Sequence, residues 1–447
     1  MIETISVSRV TTPVLSDRTC PLARFRDFVF IMATVSCIVT TFEVVPGVFV
    51  SEFLLLLAGS LSFAMLIATR GMKMRLPIHW SVAIFVAGMA CACLSIIVNG
   101  AGLGEIRAFI SHWVLRSVLV LAAVLVFVDS ARARQILGCS SALVVVVTAA
   151  LVCLFVAWTG DLAVLRRSES HSLQGLEWIR TVTGVGNGNA NRIARVVLVL
   201  LPIAVWSQRH SSPRMMGLLL CAGVVMVLCR SRVGLLLYGF QIVAFLTLMM
   251  PRRHLARFLL VSIMLAVGVM GVQQVRNRMG DTGISDSPLR ATLAEVSVSL
   301  IADRPLVGHG AGEAPSLINR HPRIQEELAK PGKPPMIAMH NQWLSLSLEY
   351  GIPAATLYLM VPLLLVIEGM GHGMKSRGPD RQFAFALAVS TWTILIAMQF
   401  GLIFRLSVLW IVIGAIIAVL GGATSPRGTR RLGHACLATG PPGSRCR

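Results

Sequence analysis

The sequence predicts an all-α protein that crosses a membrane many times, and three observations carry that prediction. Of 447 residues, 55% are hydrophobic and 13% charged, where a soluble domain carries about 25% charged residues. The mean hydropathy is +0.76. Apolar runs recur from about residue 28 to residue 421, and many reach the roughly 17–25 residues that a bilayer-spanning helix needs. Membrane β-strands would be short and would alternate in polarity, which these runs do not.

About twelve spans are expected, at roughly 28–46, 48–69, 78–99, 110–128, 136–158, 193–206, 214–229, 233–250, 257–273, 341–367, 383–403 and 407–421. A basic segment, 1–27, precedes the first and shows no small-residue cleavage site, so that run reads as a signal anchor with a cytoplasmic N-terminus. The inward connections then hold Arg70, Lys73 and Arg75; Arg132 and Arg134; Arg209 and Arg214; Arg252, Arg253 and Arg257; and Lys375, Arg377 and Arg381. The tail, 422–447, adds Arg427, Arg430 and Arg431 and has a disorder-like composition. Every inward segment is basic, as the positive-inside rule requires. The net charge of +20 is spread over short loops rather than gathered on one face, which argues against a nucleic-acid partner.

The chain therefore reads as helices 1–9 over 28–273, a large outer loop over 274–340 and helices 10–12 over 341–421. A second outer connection covers about 159–192. Both outer connections are too long and polar for turns. They hold Arg166, Arg167, Arg180, Arg192, Arg276, Arg278, Arg290, Arg304, Arg320 and Arg323. Positive charge there opposes the insertion bias, which points to a use for part of it, the rest being ordinary solvated loop charge. Seven of the ten cysteines (Cys37, Cys91, Cys93, Cys139, Cys153, Cys221 and Cys229) lie in apolar runs without zinc-site spacing, and read as small buried hydrophobes.

Four stretches concentrate polar residues beside hydrocarbon. "CRSRVGLLLYGF" places Arg230 and Arg232 in a tight outer break between two runs, where an arginine in lipid costs roughly 2.5–3.5 kcal/mol. "HWVLRSV" sets His112 and Arg116 on one helix face. "GNGNANRIARVVLVLLP" opens a helix with a Gly/Asn-rich turn that leaves backbone N–H groups free. "MHNQWLSLSLEYGIPAATLYL" stands His340 and Asn341 at the mouth of an apolar run, with a Gly351-x-Pro353 break beyond.

In order along the chain, "GNANRIA" (188–194), "SRVGLLL" (231–237), "SPLRATLAEVSVSLIADRPLVGHGAGEAPSLIN" (287–319) and "HNQWLSLSLEYGIPA" (340–354) resemble the O-antigen ligase family. The last contains the family's His-Asn, nine residues, Gly pattern as His340, Asn341 and Gly351. The resemblance covers roughly 188–365; the first five spans match in hydropathy only. It implies a GT-C-like helical glycosyltransferase of the Gram-negative inner membrane, both termini cytoplasmic, with short helices in its large periplasmic loop. Such ligases move a finished polysaccharide from undecaprenyl pyrophosphate to a sugar hydroxyl of lipid A–core. The partners expected are thus that donor, that acceptor and membrane lipids.

Breaking the donor's C1–O bond releases a pyrophosphate, which a metal or cationic donors can hold. Asp281, Asp286, Asp303 and Glu313 are scattered, with no Asp-x-Asp cluster on the outer side. Arginine, a planar fork of donors charged at any relevant pH, is the expected anion holder, with no metal or cofactor. No nucleotide-binding glycine loop is present in the sequence.

By the resemblance, Arg232 and Arg290 stand at the family's functional arginines and His340 at its functional histidine. The bland alternatives are a snorkelling helix end for Arg232, loop solvation for Arg290 and an interfacial cap for His340. As a catalyst, His340 would take the acceptor proton or donate to the departing phosphate. Asn341 caps its helix or orients the imidazole. Arg192, Asn189 and Asn191 would add donors at a helix start, and Arg230 beside Arg232. Arg116 with His112 faces the same cavity or forms a buried structural pairing. Arg304 holds its loop or touches acceptor phosphates, while His309 belongs to a turn. Close rivals are O-antigen polymerase and protein O-oligosaccharyltransferase. A transporter would show two matched halves, which the asymmetric outer loops do not.

Overall fold

The computed structural model describes residues 20–38, 43–45, 48–70, 79–100, 102–129, 132–159, 190–229, 231–249, 287–329, 341–374, 379–399 and 406–423. The span expected at 257–273, the tail beyond 423 and much of both outer connections lie outside the described residues. So do Arg230, His340 and Asn189.

The described chain is mostly helical. Five helical segments are long and apolar enough to cross a membrane: Val50–Ala68, Trp80–Asn99, Leu103–Val128, Ala133–Ala157 and Ile352–Gly373. Four shorter apolar helices, Ser212–Leu228, Val233–Ala244, Gln382–Met398 and Ser407–Gly421, join them. This is a multi-spanning helical membrane protein, with five such spans among the described residues where about twelve were expected.

Two expected spans take a different form. Over 28–46 the helix α1 (Pro21–Val35) stops early, followed by a 3-10 turn at Ser36–Ile38 and an antiparallel pair, β1 (Glu43–Val45) with β2 (Val48–Phe49). Fifteen residues make about 22 Å of helix, short of the roughly 30 Å hydrocarbon core. The β-branched Val44, Val45 and Val48 favour the extended form. The run expected over 341–367 is two helices divided at Gly351, whose φ of +86° no helix continues through.

The remaining helices follow the apolar runs. They are α2 (Val50–Arg70), α3 (Trp80–Asn99), α4 (Leu103–Phe109), which passes through a π-helical turn at Ile110–Val114 into α5 (Leu115–Asp129), and α6 (Ala133–Thr159). Next come α7 (Ala190–Ser207), α8 (Ser212–Leu228) and α9 (Arg232–Met249). The large loop supplies α10 (Ser287–Asp303), α11 (Ala314–Arg320) and α12 (Pro322–Leu328). The chain closes with α13 (Gln342–Tyr350), α14 (Ile352–Met374), α15 (Pro379–Met398) and α16 (Ser407–Ala423).

Small residues sit where helices cross, as membrane bundles without a hydrophobic driving force require. Gly59 of α2 meets Ala122 of α5, Gly138 of α6 meets Ser207 of α7, and Gly369 of α14 meets Ala388 of α15. The α3–α14 pair is antiparallel and defines two ends. At one, here the proximal end, Glu368 accepts from Trp80 Nε1 at 2.5 Å and lies 2.6 Å from His79 Nε2. At the other, the distal end, α3 finishes at Ser95 and Asn99 against Val307 and Glu349.

Helix α13 lies across the distal end as a shelf. Its start is tied to the end of α15, Asn341 Nδ2 donating to Gln399 Oε1 at 3.3 Å, and its other end meets α3. Leu346 and Tyr350 join the main core with Trp113, Tyr358 and Trp410. Leu348, with Leu344 beside it, joins the apolar cluster of Leu293, Val296, Ile301, Ile318 and Ile324 from α10, α11 and α12. One short helix thus has the bundle beneath it and the loop domain above.

Candidate functional site

The two glycine motifs of the sequence meet at the end of this shelf. Residues 304–312 run across the joint between α13 and α14 and bond to it through backbone. His309 N–H donates to Leu348 O at 2.8 Å, Gly310 N–H to Glu349 O at 3.0 Å and Ile352 N–H to Pro305 O at 2.8 Å. The Ser95 hydroxyl reaches the carbonyls of Val307 and Glu349, and Asn99 Nδ2 donates to Gly308 O at 3.3 Å. A Cβ on Gly308 would stand 2.6 Å from the Glu349 backbone, and one on Gly351 would strike the Leu306 carbonyl. Only bare backbone can pack this closely. His309 Nε2, 2.8 Å from Leu300 O, ties the same loop to α10.

Under that loop lies a buried polar seam. The π turn, a feature common at functional sites, carries His112 and Trp113. His112 Nδ1 is 3.2 Å from Tyr350 Oη and 3.5 Å from Glu349 Oε2. Glu349 is 4% exposed, and its Oε2 makes no hydrogen bond within the described residues. One turn on, Arg116 pairs with Glu52, both side chains at most 1% exposed, and the guanidinium sits 5.9 Å from the Trp410 ring centroid. Phe49 N–H also donates to Glu52, at 3.2 Å. Ser51 and Ser407 share a 2.6 Å hydroxyl bond. Two carboxylates in low dielectric are tolerated because each faces a cationic or imidazole partner.

The sequence-derived residues spread around this distal end. Arg192, in the first turn of α7, lies with its guanidinium 5.5 Å from the Phe49 ring, and Asn191 beside it is exposed. Arg232 is the first residue of α9 and Arg290 stands in the first turn of α10, which packs on α13. Asn341 caps α13, its Oδ1 accepting from Leu344 N–H at 3.1 Å. His340, the residue before that cap, lies outside the described residues, as does Arg230. Arg304 is exposed and donates to Asn99 Oδ1 at 2.8 Å, which holds its loop. Arg116 is interior: its guanidinium is committed to Glu52, the buried pairing that the sequence offered beside cavity contact.

Sequence reasoning missed Glu52 and Glu349. A signal for both was present, since each is a lone acid inside an apolar run, and an ionisable residue at such a place is a functional-site hypothesis by default. Ser95 and Gln399 carried no comparable signal. Among the described residues, no group of three or more His, Cys, Asp or Glu gathers as a metal site.

The fold defines a multi-spanning helical membrane protein with a buried polar seam at its distal end. Residues 216–359 match the family model described as O-Antigen ligase, the family that the motifs resemble. It takes in Arg232, Arg290, His340, Asn341 and Gly351. No curated protein matches the chain significantly.

Proposed function

We propose that the protein is an O-antigen ligase, transferring polysaccharide from undecaprenyl pyrophosphate to a hydroxyl of lipid A–core at the periplasmic face of a Gram-negative inner membrane. The observation that carries this reading is the family match over 216–359, which contains Arg232, Arg290 and His340. The distal end is then the periplasmic one, consistent with the basic connections at the proximal end.

Both substrates are amphiphiles, which suits a catalyst built of membrane helices with its polar groups at their ends. In this reading Arg232 and Arg290 hold the departing pyrophosphate, with Arg192, Arg230 and Asn191 adding donors near helix starts, whose dipoles favour an anion. His340, next to the Asn341 cap, either accepts the acceptor proton or donates to the phosphate, a step worth about 10²–10⁴-fold. Arg116 acts from behind, through its pair with Glu52, and Arg304 through the loop that braces α13. The donor's own bond energy drives a metal-independent direct displacement at C1.

The test is lipid analysis of a deletion strain complemented with variants. Long polymer stranded on undecaprenyl pyrophosphate is expected, and Arg232→Ala, Arg290→Ala and His340→Ala should insert normally yet restore no capping. A single repeat on core in the deletion strain would instead mark a polymerase. Normal smooth lipopolysaccharide in all three variants would remove the site assignment.

A further inference from the structure

The large loop is expected in water, yet one of its side chains is among the most exposed apolar groups in the described structure. Leu306 is 72% exposed, beside Ile97 at 75%, Val98 at 57% and Leu103 at 89%. Leu306 is set against the end of α3, which carries Ile97 and Val98, since Asn99 accepts from Arg304 and donates to the Gly308 carbonyl; Leu103 opens the next helix, four residues after Asn99. Leu306 is therefore held outward by the structure around it. An exposed apolar patch of this kind marks an interaction surface.

The patch also continues two lipid-suited stripes. Along α3, exposed Val86, Leu94, Ile97 and Val98 lead up to it, and α3 has the least buried window of the five candidate spans, at 22%. From it, exposed Leu103, Ile106, Ile110, Val114, Val118 and Leu121 lead down α4 and α5 at three- and four-residue steps on one helix face. Leu306 thus stands at the crest of a hairpin whose outer surface is apolar from end to end. Two exposed cations, Arg107 and Arg304, flank that crest. Arg304 stands beside the crest and Arg107 one turn down α4 from Leu103, where a long arginine side chain snorkels up to the headgroup level of a phospholipid monolayer.

We propose that residues 304–308 of the large loop are seated in the distal leaflet of the bilayer, with Leu306 among acyl chains and Arg107 and Arg304 at lipid phosphates. The occupant of this surface is bilayer phospholipid. The seat fixes the depth of the 304–312 clamp, and through it the depth of α13, whatever reaction the site performs.

The experiment uses the unaltered full-length protein in nanodiscs containing a phospholipid with a photoactivatable acyl chain, with phosphatidylcholine or phosphatidylglycerol headgroups. After irradiation, peptides holding Leu103 and Leu306 should carry lipid adducts, and the peptide covering 322–329 on α12 should carry none. Labelling at Leu103 without labelling at Leu306, or equal labelling on α12, overturns the proposal. Arg107→Gln should reduce the excess labelling by the anionic probe over the zwitterionic one at least twofold. An unchanged ratio removes the arginine–phosphate part.

Discussion

Replacing Gly351 by alanine tests the joint on which the distal site rests. Its backbone has φ +86° and ψ 163°, a region open essentially to glycine alone and costing about 1–3 kcal/mol for other residues. The new Cβ would strike the Leu306 carbonyl and stand 2.8 Å from Val307 N, so the loop must retreat. Retreat endangers the Ile352 N–H bond to Pro305 O and the Ser95 bond to Val307 O, each worth about 0.5–1.5 kcal/mol. The sum is a loss of about 2–6 kcal/mol. The control is Gly371→Ala in α14, where a Cβ meets nothing within 4 Å and alanine should gain up to about 1 kcal/mol in helix propensity. SDS titration in mixed micelles measures both, together with transfer activity. A Gly351→Ala protein as stable as its Gly371→Ala counterpart would refute the clamp.

Three further outcomes are expected. Removing one partner of the Glu52–Arg116 pair, by Glu52→Ala or Arg116→Ala, should cost about 3–5 kcal/mol, whereas Glu52→Leu with Arg116→Met should recover most of it; equal losses in single and double variants would show that the charges themselves are needed. Asn341→Ala should cost about 1 kcal/mol and Asn341→Asp much less, because the acid keeps the acceptor used by Leu344 N–H, and indistinguishable unfolding curves would dismiss the cap. Transfer by purified protein should survive a chelator, since guanidinium groups are proposed to hold the leaving pyrophosphate; loss restored by magnesium or manganese would overturn that role.

Where the sequence was legible, one local signal decided the outcome. The apolar runs at 78–99, 136–158, 193–206 and 214–229 lie on α3, α6, α7 and α8, because length and hydropathy alone specify a helix that satisfies its own backbone in lipid. Where competing local signals met, hydropathy misled. Residues 28–46 were apolar enough for a span, but α1 ends at Val35 and Glu43–Val45 pairs as a short strand with Val48–Phe49. The pairings of Glu52 with Arg116, and of Glu349 with His112, were not legible because they join helices distant in sequence. For Arg116 the sequence offered cavity and buried pairing together, and only the packing of α2 on α5 shows the guanidinium turned inward.

The His-Asn, nine residues, Gly pattern becomes intelligible through α13. Asn341 is the N-cap, Gly351 the C-cap, and the nine residues between them, Gln342–Tyr350, are the entire helix. The spacing is thus a ruler of about 13 Å, with both ends pinned, Asn341 to Gln399 of α15 and Gly351 under the Leu306 carbonyl beside α3. Adding one residue would rotate the helix by about 100°, turning Leu346 and Tyr350 out of the bundle and Leu344 and Leu348 away from the loop domain. Neither apolar cluster could then close. The length of the motif is set by packing on two faces at once.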